Sequence, residues 1–283
     1  MAVVVVVWGL GPPTTKLVTA PPLIGTFVRF GISSPLLIFV LAARRRVLSR
    51  KVFIATALPG LSFGINLIFV FATLQEATVS VLSTVVAMQP ALLLVLAGPL
   101  FREYPTGRQL AFTLAGVVGA VGVILGAGSA IRSSWLGVGL AALSLVTFTL
   151  YFVLTRLARS EDEVDPIEWM AGINIWAFLS TIVPILLLAD RSDWAQFGGT
   201  DWLWIAIVAF VTGVFGHVLM TWLHGHLEAA RSSLYILVMH LVAVGLAWWI
   251  HDESVTWLQM VSGGVVLLCV ALVVTSPDRR EVR

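Results

Sequence analysis

The sequence predicts an all-α membrane protein, with ten transmembrane helices arranged as two inverted five-helix repeats around a central cavity. Three observations predict it. The 283 residues are 59% hydrophobic and only 11% charged, with a mean hydropathy of +0.99. Apolar stretches of about 20 residues, the length a helix needs to cross the hydrocarbon core, recur along the chain between short polar turns. Residues of the first half also return in the second half at nearly constant spacing. A soluble domain carries roughly 25% charged residues, so this chain has less than half the charge that a water-facing surface requires.

The apolar stretches fall at about 2–20, 23–43, 52–73, 79–101, 109–128, 136–156, 167–189, 203–224, 231–250 and 256–275. The first, Met1-Ala2 and the valines Val3 to Val7, has no basic residue ahead of it and no A-x-A site after it. It reads as the first helix, not a cleaved leader, with the expectation that the true start lies slightly upstream. The longest connection runs from Asp190 to Trp202, too short to hold a soluble domain. Trp135, Trp169, Trp194, Trp202, Trp249 and Trp257 fall near predicted span ends, as an interfacial aromatic belt requires.

Orientation follows from the basic residues. With a cytoplasmic N-terminus, the inside segments hold thirteen: Arg44, Arg45, Arg46, Arg50, Lys51, Arg102, Arg108, Arg156, Arg159, Arg231, Arg279, Arg280 and Arg283. The outside loops hold two, Arg132 and Arg191, and Lys16 and Arg29 remain within spans. An even number of helices then puts both termini in the cytoplasm, in a plasma (inner) membrane protein. The formal charge of +2 and pI near 9.0 express this asymmetry and not affinity for nucleic acid. Cys269, the single cysteine, excludes an intramolecular disulfide and a cysteine metal cluster.

The repeat is carried by a few pairs. Pro90, Glu103 and Gln109 return as His240, Glu253 and Gln259, each 150 positions on. Trp8 and Lys16 match Phe148 and Arg156 at 140, and Glu76-Ala77 matches Glu228-Ala229 at 152. An odd number of helices per half inserts the second half upside down. Many secondary transporters follow that plan, with sites near the midplane between the halves. The halves are expected at 1–128 and 129–283.

Two patterns resemble the EamA-type branch of the drug/metabolite transporter superfamily across nearly the whole chain. One is Trp8-Gly9, Lys16, Pro22 and Arg29-Phe30; the other is a Pro90 helix ending in Arg102-Glu103, followed by a glycine-rich helix. The resemblance implies a ten-helix basket with a central cavity, commonly an exporter of amino acids or related metabolites. His240 departs from it, standing where members usually carry a second-half proline.

An ionisable or strongly polar group at membrane depth is costly and normally faces protein or a water-filled cavity. His240 and His217, near the centres of the ninth and eighth spans, are candidates for substrate contact or proton coupling. The competing reading is an interhelical hydrogen bond. Asn66 and Gln89 are the deepest polar residues of the first half, and Gln89 adjoins Pro90, whose missing N–H frees a backbone carbonyl one turn back. Gly9, Gly11, Pro12 and Pro13 interrupt the first helix, and broken helices point to binding sites in this kind of architecture. Trp8 offers an aromatic cavity wall and Tyr151 a hydroxyl, although packing is the plainer role for each. Lys16 and Arg29 either meet an anionic group or snorkel to the interface. Gly122-x-x-x-Gly126 is a close-packing stripe that could also serve a homodimer.

His224-Gly225-His226 lacks a carboxylate in register and is not read as a metal site. No phosphate loop, zinc-protease or serine-hydrolase motif and no cofactor signature is present. The expected function is therefore a secondary transporter working by alternating access, its cavity lined by spans 1, 3, 4, 6, 8 and 9. The expected cargo is a small metabolite such as an amino acid or amphipathic compound, driven by a coupled proton, another ion or its own gradient. Two rivals remain: a membrane-embedded enzyme, and a non-transporting receptor or scaffold.

Overall fold

The protein is described by a computed structural model covering residues 2–89, 92, 96, 106–126, 135–158, 164–224 and 229–275. Every regular element among them is helical. In chain order these are α1 (Ala2–Gly9), α2 (Gly11–Lys16), α3 (Pro22–Ala43), α4 (Arg50–Ala55), α5 (Ala57–Glu76), α6 (Val79–Val86) and α7 (Gly107–Gly126). After them come α8 (Trp135–Ala158), α9 (Pro166–Leu188), α10 (Arg191–Ala195) and α11 (Asp201–Ile207). A π-helical segment, Val208–Gly216, leads into α12 (His217–His224), and α13 (Ala229–His251) and α14 (Trp257–Val274) complete the chain. Among the described residues, Pro22–Ala43, Ala57–Glu76, Trp135–Thr155, Pro166–Leu188 and Asp201–Met220 are long and apolar enough to cross a membrane.

Local chemistry sets the boundaries. Pro21 and Pro22 open α3 where the missing N–H groups would be unsatisfied anyway. Asp165 caps α9 by accepting from the backbone N–H groups of Ile167 and Glu168. In the connection expected to be plain loop, Asp190 and Asp193 form a reciprocal capping box that starts α10. The Ser192 hydroxyl and the backbone N–H groups of Asp193 and Ser192 hold the Asp190 carboxyl below its ordinary value. The expected first span divides at Leu10, which keeps helical backbone angles, so the proline pair produces a hitch more than a break. The fourth is helical over Val79–Val86 and turns at Ala87 and Met88. Pro90 lies outside the described residues.

The largest core gathers α3, α5, α8 and α9, with Phe30, Leu37, Phe63, Tyr151, Trp169, Met170 and Ile173 buried together. Trp169, expected in the interfacial belt, is only 1% exposed, because the start of α9 is clamped between α3 and α5. Trp135, Trp249 and Trp257 stay on the surface as expected. Glycine permits the closest approach: a Cβ on Gly64 would lie 2.6 Å from the Ala177 carbonyl oxygen of α9. α7 and α14 pair off in the same way, where a Cβ on Gly119 would lie 3.0 Å from the Ser262 carbonyl. The Gly122–Gly126 stripe is therefore covered by Ser262 and Gln259 of its own chain and is not free to form a homodimer.

The two ends of the bundle differ. At one end Lys16 Nζ reaches Glu253 Oε1 at 2.6 Å and donates to the Ala77 carbonyl at 3.1 Å. Asp201, 1% exposed, accepts from the Thr19 N–H at 2.8 Å. At the same end Gln75 donates to the Ala20 carbonyl, and His251 Nε2 lies 2.8 Å from that of Pro13. At the opposite end Arg44 and Arg46 pair with Asp165, and Glu168 accepts from the Ser49 N–H.

Candidate functional site

Between these ends lies a cavity of about 140 Å³. Its walls are Trp8 of α1; Gly11, Pro12 and Thr15 of α2; Arg29 of α3; and Phe63, Asn66, Leu67 and Val70 of α5. Leu82, Ser83 and Val86 of α6, Ser144 and Phe148 of α8, Val208 and Thr212 of the π segment, His217 of α12, and Met239 and His240 of α13 complete them. The lining is chiefly aliphatic and aromatic, with a few convergent polar groups, the usual character of a small-molecule site.

The π segment shapes one wall. Helical windings of this kind widen the turn and leave carbonyls misaligned, and they occur often at functional sites. Here the His217 Nδ1 approaches the Thr212 carbonyl at 2.7 Å. As a donor there, the neutral ring carries its lone pair on Nε2. The ring also lies 4.8 Å from that of Trp8 and 5.1 Å from that of Phe63, centroid to centroid. Gly216 makes room for this stack, since a Cβ there would come within 2.6 Å of the Trp8 ring.

Asn66 is 2% exposed, and its amide nitrogen donates to the carbonyl and hydroxyl of Ser144 at 2.8 and 3.0 Å. That commits the group to joining α5 and α8 while it still borders the cavity. His240 is 6% exposed, and neither ring nitrogen has a hydrogen-bond partner among the described residues. With Ser83 it also borders a second cavity of about 240 Å³ between α6, α7, α13 and α14. The Ser83 hydroxyl is likewise without a partner, so serine and histidine do not form a nucleophile–base pair.

Of the residues singled out from sequence, Trp8, Asn66, His217 and His240 thus meet around one cavity. Gln89 is buried with its amide nitrogen unpartnered among the described residues, but it borders neither cavity. Tyr151 packs in the α3–α5–α8–α9 core, its ring 4.9 Å from that of Phe63. Lys16 is engaged by Glu253 at one end of the bundle and does not line the cavity. Pro90 lies outside the described residues. On sequence alone Arg29 is ambiguous, and no motif marks Phe63, Ser83 or Thr212. The available signal was the pairing of a charge with small residues at Thr212, Gly213 and Gly216: a Cβ on Gly213 would lie 3.2 Å from Arg29 Nη2.

The chain matches the EamA-like transporter family over residues 1–125 and 135–275. A crystal structure of a protein 19% identical to it covers 97% of this chain and 94% of its own, with a TM-score of 0.66; at that identity the likeness shows the fold alone. Over 120 residues the chain is also 28% identical to the protein-methionine-sulfoxide reductase heme-binding subunit MsrQ of Ralstonia nicotianae, a stretch of 38% of this chain and 54% of that protein. The chain thus spans about half the length of that curated relative.

Proposed function

Because the chain belongs to the EamA-like transporter family and is a multi-pass membrane protein, we propose that it is a secondary transporter exporting a small metabolite by alternating access. The cargo class is an amino acid or a related amphipathic compound, held in the cavity around Trp8, Asn66, His217 and His240. The proposed architecture is ten spans in two inverted repeats, 1–128 and 129–283, with both termini in the cytoplasm and a plasma membrane location. A coupled proton or another ion supplies the drive.

One observation carries this reading: a cavity at the centre of the bundle is lined by helices of both halves, with the Lys16–Glu253 pair tying them together at one end. In the proposed orientation Lys16 and Glu253 lie on the outer side, so their ion pair would have to open for the cargo to leave outward. The repeat has a structural echo that supports the two-half plan. Thr106 and Gln109 exchange reciprocal hydrogen bonds at the start of α7, and Thr256 and Gln259 do the same at the start of α14, 150 positions later.

The test is flux. The purified protein in liposomes, offered a panel of amino acids and amphipathic organic acids, is expected to give protein-dependent counterflow of at least one. A deletion strain is expected to accumulate that compound relative to an overexpressing one. A panel with no protein-dependent flux, together with indistinguishable metabolite profiles, would overturn the proposal.

A further inference from the structure

We infer that the cavity selects an organic carboxylate with a compact apolar tail, and that Arg29 is the residue that recognises it; this rests on the transporter reading and narrows its cargo. Arg29 lies seven residues into α3, about 10 Å from the helix start at 1.5 Å per residue. A side chain at that depth can extend to the interface. Instead the residue turns inward, 2% exposed, against the cavity.

What surrounds it is incomplete for a cation. The guanidinium carbon lies 4.8 Å from the Phe30 ring centroid and 5.8 Å from that of Phe63. Ring faces attract a cation through their quadrupole, but they offer no oxygen to its N–H groups. Nε and Nη1 have no hydrogen-bond partner among the described residues. No Asp or Glu among the described residues lines the cavity, and the Lys16–Glu253 pair and the pairs of Arg44 and Arg46 with Asp165 lie at the two ends. A buried charge without a counter-ion is strongly disfavoured, so the missing partner is supplied by the cargo.

The donor geometry names the anion. A guanidinium presents two parallel N–H groups in a plane, which a carboxylate accepts as a pair of charge-assisted hydrogen bonds. The other walls set the tail: Trp8, Phe148, Leu67, Val70, Leu82 and Met239 offer apolar contact and no further formal charge. A multiply charged anion would bring more charge than one guanidinium balances, and a free cation would meet Arg29 with nothing opposite.

Calorimetric titration of the full-length protein in detergent with butanoate, hexanoate and 3-phenylpropanoate, each beside its neutral amide and its amine, tests this directly. At least one carboxylate is expected to bind saturably and at least tenfold tighter than its amide and amine, and inorganic phosphate is expected not to compete. Arg29→Met is expected to remain folded, with an unchanged or higher Tm, and to lose the carboxylate preference; Arg29→Lys is expected to keep part of it. Equal binding of carboxylate and amide in the wild type, full competition by phosphate, or wild-type carboxylate binding by Arg29→Met each overturns the inference. If Arg29→Met does not fold, the wild-type series decides alone. Carboxylate binding without vesicle flux sinks the transporter reading and leaves the anion site standing. Flux of a neutral or cationic metabolite that Arg29→Met leaves intact does the reverse.

Discussion

Lys16 and Glu253 are 237 positions apart and meet at 2.6 Å. Glu253 is the more buried partner, at 7% side-chain exposure against 23%. The same oxygen, Oε1, accepts from the Val79 N–H at 3.1 Å, which ties the start of α6 into the closure. Removing one partner strands the other at low exposure, so Lys16→Met and Glu253→Gln are each expected to destabilise the protein by ~1–3 kcal/mol, reduced from the fully buried case because Lys16 is partly solvated. The double variant is expected to cost less than their sum, as thermal unfolding in detergent would measure; simple additivity would mean that the pair contributes nothing. The sequence marks Lys16 as a cation needing either an anion or the interface, yet not the identity of its partner. Nothing along the chain marks Glu253 as the acid that folding brings beside it. Arg29 was undecided for the same reason, since depth in a helix is readable from sequence but the direction a side chain takes is not.

Helix identity and approximate length were legible because lipid demands continuous apolar runs, and such runs can be counted. The local departures were not. The π segment at Val208–Gly216 has the same apolar character as the α-helix around it, and its wider backbone winding leaves no mark in the sequence. The glycines divide similarly. Gly64 packs against the α9 backbone, and Gly64→Val is expected to destabilise the protein by ~1–3 kcal/mol or more through overpacking. Gly139, also within a helix, has nothing within 4 Å of a would-be Cβ, so Gly139→Ala is expected to stabilise by roughly 0.5–1 kcal/mol through chain entropy alone. Unfolding midpoints of the two variants should move in opposite directions, and a Gly64→Val midpoint that does not fall would refute the assigned α5–α9 contact.

Across the whole molecule, the proposed orientation rests on thirteen basic residues assigned to inside segments against two assigned to outside loops. A reporter fused after Arg283 is expected to read cytoplasmic and one inserted near Ser192 to read on the opposite face; reversed readings at both points would end the ten-span proposal. By itself the sequence determined that the chain is helical and membrane-embedded, and it offered a repeat through spacings such as Gln109 and Gln259. It also pointed to Asn66, His217 and His240, because a polar group in an apolar run is conspicuous on composition alone, to Trp8 as an aromatic wall, and to Gly11 and Pro12 as an interruption of the first helix. Tertiary structure decided which of these groups are already satisfied and which remain unpaired. Asn66 is spent on Ser144 and Lys16 on Glu253, whereas Arg29 and His240, which line the cavity, keep buried nitrogens without a partner among the described residues. Hydropathy is a sum over neighbours in sequence, so one strand of text carries it; hydrogen-bond satisfaction depends on neighbours in space, and these arise only when helices from distant parts of the chain pack together.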